Sequence, residues 1–207
     1  MDVTEAIMKR RSIRRWKPAP VEKAKIEKVL EAGRRAPSWG NTQPWRFIVL
    51  QDRAEIERIG KAAGGQPQVT TAPVLIVCCA TADDFTKKGH GEALESLIPV
   101  EAMTSEMKDI VLSSDVFAPY RKGNAVMAIR AGEQVMIAIA YMTLEAVNQG
   151  LGTLWAGAIT PGEVHKALNL PDNIFVHSLL PLGYPGEDPV QRPRKDASKV
   201  IFWGKYG

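Results

Sequence analysis

Hydrophobic positions along the chain fall into two periods, and each predicts its own elements. Val74–Thr81, V-L-I-V-C-C-A-T, is a continuous apolar run and predicts a strand buried on both faces. Trp45–Gln51, Thr153–Ile159 and Ile174–Tyr184 predict three further strands. Val21–Ala36 has helical spacing, with Ala24, Ile26, Val29, Leu30 and Gly33 on or near one side and Glu22, Lys23, Glu27 and Lys28 elsewhere. Asp2 or Thr4 caps a first helix reaching about Arg11, and Arg53–Ala63 is a short helix. Ala125–Asn148 is long and apolar over most of its circumference, which predicts burial and, in a domain this small, a dimer core. Gly150 ends it. Thr160–Glu163, T-P-G-E, is a capping box opening a helix over Pro161–Leu168.

Polar, turn-rich stretches separate these elements. Pro37–Pro44 and Gly64–Thr71 are loops. Residues 83–124 mix charge with Met103, Met107 and Phe117, and are expected to form a helical excursion or lid. Met103, Met107 and Phe117 are candidates for lining a substrate pocket, against the ordinary alternative of core packing, and Tyr120 and Arg121 are lid candidates. The tail 186–207 carries Arg192, Arg194, Lys195 and Lys199 before an apolar V-I-F-W, and is expected to dock on another surface, a partner subunit among the candidates. Few strands and long helices give an α+β class with one domain over 1–207, without internal repeats.

A length of 207 residues with 45% hydrophobic and 24% charged residues suits one sizeable core. The net charge of +4 is modest for a nucleic-acid-binding surface, no run reaches the ~18 apolar residues of a membrane helix, and the polar N-terminus is no secretory signal. The expected setting is therefore cytoplasmic, with neither nucleic acid nor membrane as partner. The two cysteines, Cys78 and Cys79, are strand neighbours pointing to opposite faces, hence small core residues. His90, His165 and His177 lack metal-ligand spacing, and His177 on its apolar strand is expected to be a satisfied core residue. There is no G-x-S-x-G elbow. Gly150-Leu-Gly152 lies after a helix and before a strand, the wrong context for a dinucleotide fingerprint.

Three loops carry the candidate chemistry. Lys9–Lys17, K-R-R-S-I-R-R-W-K, holds six Lys or Arg in nine residues around Ser12. Guanidinium forks of this kind grip phosphate oxygens, although a solvated basic face or a nucleic-acid or targeting patch has the same composition. Pro37–Pro44 offers Ser38, Asn41 and Gln43 between Trp39 and Trp45. Trp155–Ala158, W-A-G-A, offers small residues where backbone approaches a flat ring, and Arg194 and Lys195 add cations. A cationic end, a polar edge and a close backbone face suit a flat heteroaromatic cofactor bearing a phosphate.

R-R-S-I-R-R-W, then A-P-S-W-G-N-T-Q-P-W-R-F-I-V at Ala36–Val49, G-L-G-T-L-W-A-G at Gly150–Gly157 and P-L-G-Y-P followed by R-P-R-K together resemble the nitroreductase family of FMN-dependent oxidoreductases. The resemblance implies an intertwined homodimer with a mostly antiparallel central sheet flanked by helices, and two FMN sites at the subunit interface. By it, Arg10, Arg11, Ser12 and Arg194 hold the phosphate end, and Arg14 lies beside the ring edge where negative charge gathers on reduction. Pro37, Ser38, Trp39 and Asn41 come from the opposite subunit. Trp155, Ala156, Gly157 and Ala158 face the ring, and Gln66 meets its polar edge. Ala158 stands where many relatives have a second glycine. The implied activity is ping-pong electron transfer from NADH or NADPH to nitroaromatic, quinone or similar small-molecule acceptors. The alternative is a flavin-binding, flavin-processing or dehalogenating branch of the same fold without efficient NAD(P)H turnover.

Overall fold

The computed structural model describes residues 1–115 and 123–206, with the side chain of Asn124 also left aside. Phe117, Tyr120 and Arg121 therefore lie outside the described residues. Among the described residues, four strands form one antiparallel sheet in the order β1-β2-β4-β3: β1 Trp45–Leu50, β2 Val74–Thr81, β3 Gly152–Thr153 and β4 Ile174–Gly183. The helices are α1 Val3–Lys9, α2 Lys23–Arg34, α3 Arg53–Ala62, α4 Pro67–Thr70, α5 Lys87–Glu95, α6 Ser105–Ser113, α7 Gly123–Asn148 and α8 Pro161–Ala167.

β2 is the axis of the molecule. Every one of its residues is buried, because it is central in the sheet and helices cover both faces. Val74, Ile76, Cys78 and Ala80 point into a cluster with Ile26 and Val29 of α2 and Val135, Ile139 and Met142 of α7. Leu75, Val77 and Cys79 point the other way, onto Ile56 and Ile59 of α3, Val69 of α4 and Val164 of α8. Full burial of each such side chain contributes about 1.5–3 kcal/mol. The α2–α7 contact is close because Gly33 has no Cβ; one built there would stand 2.7 Å from Met142 Cγ.

β4 changes phase partway along. Cys78 pairs with Ser178 but Cys79 with Val176, so His177 is the extra residue of a β-bulge. The bulge is why Val176 and Leu179, three apart, share one core cluster while Leu180 and Leu182 occupy the other. His177 is thus a half-buried bulge residue and not a fully enclosed one.

Several expectations need correcting. The third strand is two residues long plus one isolated bridge, Ala156 with Leu179, since the chain bends at Ala158–Ile159. The loop before β2 contains a one-turn helix opened by Pro67. Thr160 makes no side-chain cap, and Glu163 turns instead to Lys166 at 3.0 Å. The described part of residues 83–124 does contain helices, as expected: α5 and α6, each capped by a threonine hydroxyl, Thr86 and Thr104. α7 is long and apolar enough to cross a membrane by length and composition, with mean hydropathy 1.3. Its stripe from Ala131 through Val135, Ala138, Ile139, Met142 and Ala146 nevertheless packs into the core. Its other side leaves Ile129, Met136, Ile137 and Tyr141 exposed.

Candidate functional site

α1 ends at Lys9, so the basic run is not helical; it continues as an extended strap along the edge of the sheet. The strap leaves the helix because its backbone finds partners elsewhere. The Ile13 amide donates to the Thr153 carbonyl at 2.9 Å, and the Lys17 amide to the Tyr184 carbonyl at 2.9 Å. The Gly186 amide donates back to the Arg15 carbonyl at 2.9 Å. Glu187 Oε1 accepts from the amides of Arg14 at 2.6 Å and Arg15 at 3.2 Å. Trp16 Nε1 reaches the Gln68 carbonyl at 2.9 Å.

Docked this way, the strap faces the C-terminal tail across a small pocket of about 170 Å³, lined by Arg10, Arg11, Ser12, Arg14, Pro189, Val190, Gln191, Arg192 and Arg194. Elsewhere Arg34 and Arg35 pair with Glu31, Arg46 with Asp84, Arg58 with Glu55 and Arg130 with Glu133. Among the described residues, no carboxylate forms an ion pair with any of the five pocket arginines. Their guanidinium contacts are to carbonyls: Arg11 Nη1 to Met8 at 2.6 Å, Arg14 Nη1 to Ser12 at 3.1 Å, Arg194 Nη1 to Arg192 at 3.1 Å. Burial, and then the charges of Arg194 and Arg11, push the Arg10 guanidinium below its usual range. Guanidinium groups crowded together and not ion-paired make a receptor for an anion, and a phosphate matches the geometry of the forks.

The bridge between Ser12 and Thr153 joins the strap to the segment that follows β3. There Ala156 is fixed by reciprocal hydrogen bonds with Leu179 at 2.9 and 3.0 Å, which turns Trp155 and Gly157 outward. Gly157 is exposed, with nothing within 4 Å of where a Cβ would be. The Gln66 side chain donates to the Ala158 carbonyl at 2.6 Å and accepts from Gln68 Nε2 at 2.7 Å. Gln66 is thus a brace for the 157–158 loop.

The Pro37–Pro44 loop lies apart from this pocket. Ser38 Oγ accepts from the Gln43 amide at 2.9 Å, Asn41 Nδ2 donates to Ser96 Oγ at 3.0 Å, and the Trp39 amide donates to Gln134 Oε1 of α7 at 2.9 Å. The Trp39 ring lies 4.4 Å from that of His90 and 5.6 Å from Phe85. Gly40, at φ +54°, allows the approach, since a Cβ would stand 2.7 Å from His90 Nε2. One chain therefore unites Arg10, Arg11, Ser12, Arg14 and Arg194 in one pocket and Gln66 with Ala158 at one loop, while Pro37, Ser38, Trp39 and Asn41 belong to a separate loop that Trp39 and Asn41 tie to α7 and the end of α5.

A second cavity of about 530 Å³ lies on the α7 side of the sheet, lined by Ala80, Ala128, Ile129, Gly132, Glu133, Met136, Phe175, Val176 and His177. The His177 ring is 6.4 Å from Trp155, and burial lowers its pKa. Met107, an expected pocket residue, is exposed on α6 and does not line this cavity. Glu187, Gln68 and Arg192 were not singled out by the sequence: Glu187 acts on backbone amides far away in the chain, and Gln68 meets the distant Trp16 through its backbone carbonyl, which leaves no local pattern.

Comparison with known proteins places this geometry. The chain is 32% identical over 205 residues to an NADH dehydrogenase of Thermus thermophilus, covering 98% of this chain and 96% of that one. It is 32% identical over 207 residues to an FMN reductase [NAD(P)H] of Bacillus subtilis, covering 99% and 74%. A more distant relative, 26% identical over 197 residues, covering 91% of each chain, is an iodotyrosine deiodinase of Thermotoga neapolitana. A protein of Exiguobacterium sibiricum classed as a nitroreductase and solved in complex with FMN superposes with TM-score 0.79 at 20% identity, covering 98% and 97%. The nitroreductase family model matches residues 7–184, and the chain belongs to the nitroreductase family.

Proposed function

We propose that this chain is an FMN-dependent NAD(P)H oxidoreductase that acts on nitroaromatic, quinone or similar electron-poor acceptors. The observation that carries the reading is the pocket of arginines whose guanidinium groups, among the described residues, form no ion pair, which is chemically matched to the phosphate of FMN. Arg10, Arg11, Ser12 and Arg194 bind that phosphate, and each charge-assisted hydrogen bond contributes roughly 1.5–3 kcal/mol. Arg14 supplies positive charge at the ring edge. The exposed residues of Trp155–Ala158 would orient the ring, where the exposed Gly157 leaves room for its close approach. When bound, FMN supplies the redox chemistry, accepting electrons from a reduced nicotinamide and passing them to the acceptor in a ping-pong cycle.

The site is completed by a second copy of the chain. Exposed apolar residues run along α7 (Ile129, Met136, Ile137, Tyr141), α1 (Val3, Ile7, Met8) and the tail (Val200, Ile201, Phe202, Trp203), an extent that a lone soluble subunit rarely leaves uncovered. In the homodimer, Pro37, Ser38, Trp39 and Asn41 of one copy close the pocket of the other.

Purified protein saturated with FMN and freed of excess should stay yellow, and anaerobic NADH or NADPH should bleach it in stopped flow, with colour restored by a nitroaromatic or quinone. Colourless protein overturns the reading. Yellow protein that neither nucleotide bleaches moves it to the dehalogenating or flavin-processing branch.

A further inference from the structure

We infer that Glu187 is a positioning residue that fixes the arginine strap for the phosphate-tailed cofactor, an assignment that rests on the proposed FMN pocket. Glu187 follows β4 and is half-buried next to a cluster of cations, yet it pairs with none of their guanidinium groups. Its Oε1 instead accepts from two consecutive backbone amides, Arg14 at 2.6 Å and Arg15 at 3.2 Å, 173 and 172 residues away in sequence. One carboxylate oxygen thus serves two successive N–H groups of the strap.

Two consequences follow. First, the backbone between Ser12 and Trp16 is pinned at its middle. The Ile13 and Lys17 amides hold the strap on either side, through Thr153 and Tyr184, but Arg14 itself has no other backbone anchor among the described residues. Second, the carboxylate is directed to the backbone through Oε1 and forms no ion pair with Arg10, Arg14 or Arg194, whose guanidinium groups remain available to a ligand.

This role makes a prediction opposite in sign to simple charge counting. Removing a negative charge from beside an anion site should tighten anion binding, modestly at this exposure. Removing the acceptor should loosen the strap and weaken binding. Glu187→Gln loses the charge but keeps an oxygen acceptor; Glu187→Ala loses both. In the full-length protein, titrated with FMN and followed by quenching of flavin fluorescence, Glu187→Gln should bind as tightly as the parent or a few-fold tighter. Glu187→Ala should bind about ten- to a hundredfold more weakly, the equivalent of one charge-assisted hydrogen bond to the phosphate. Glu187→Ala binding FMN as well as the parent overturns the inference, as does Glu187→Gln falling to the level of Glu187→Ala.

Amide hydrogen exchange in the flavin-free parent gives a readout that needs no variant. The Arg14 and Arg15 amides should be protected; exchange at the rate of unstructured chain overturns the inference even if Glu187→Ala does not fold. A parent that takes up no FMN counts against the proposed function, while the amide protection still decides the role of Glu187.

Discussion

Gln66 donates its side-chain amide to the carbonyl of Ala158 at 2.6 Å while its own carbonyl accepts from Gln68 at 2.7 Å. The Gln66 NH₂ group faces the 157–158 loop, and its second N–H remains for an acceptor on a bound ring. Gln66→Leu should weaken FMN binding about fivefold, the worth of one ordinary hydrogen bond, and leave the melting temperature within a few degrees of the parent. Equilibrium flavin titration beside a thermal melt checks both.

Arg14→Ala should make the flavin harder to reduce. A guanidinium beside the ring edge favours the extra negative charge of the reduced form, so its loss should lower the midpoint potential, by on the order of tens of millivolts. Spectroelectrochemical titration of the flavin-loaded variant measures the shift, and an unchanged potential removes Arg14 from that role.

Gly152 is where the strap meets the sheet. A Cβ there would collide with the side chain of Ile13 and stand 3.2 Å from Pro185 Cγ. Gly152→Ala should therefore displace the strap at a cost of about 1–3 kcal/mol, lowering the melting temperature by on the order of 5 °C. FMN affinity should fall with it, since Ser12 and Arg14 flank Ile13.

His177 gives a pH signature. Burial lowers its pKa in the folded chain, so the unfolded chain binds the proton more readily. Its contribution to stability is complete above the unfolded value of about 6.5 and is lost as pH falls through the lower folded pKa. Denaturant titrations from pH 7.5 downward should show stability dropping on the acid side, and His177→Gln should flatten that part of the curve.

If the proposed homodimer is held in part by the tail, truncation after Lys199 should leave the protein monomeric. It removes Val200, Ile201, Phe202, Trp203 and Tyr206, all exposed in the single chain and the last two especially. Light scattering coupled to size exclusion gives the mass, and flavin retention should fall along with it if the neighbouring copy completes the pocket.

The elements that could be read from sequence were those whose signal is local. β2 announced itself as an unbroken apolar run because both its faces are covered, and α2 because its Ile26 and Val29 recur at helical spacing. Where the fold depends on distant partners, the pattern misled. The run after Thr153 has strand-like composition, but beyond β3 its bonds to β4 are those of Leu154 and Ala156, and the phase change at His177 leaves no mark in the residue types around it. The capping box at Thr160 has the right letters, yet Glu163 finds Lys166 instead. The arginine cluster was legible as composition; that Glu187 would hold its backbone from 173 residues away was not.

The pairing of Cys78 and Cys79 on opposite faces of β2 has a consequence for a protein that handles electrons. Both thiols are wholly enclosed, and burial holds Cys79 up at about 12 and Cys78 higher still. Neither ionises at neutral pH, so neither is a target for peroxide or for mixed-disulfide formation with small thiols. The thiols of the chain are thereby insulated from whatever oxidants its turnover releases, and the exposed thioethers of Met8, Met107 and Met136 are among the sulfur atoms left open to them.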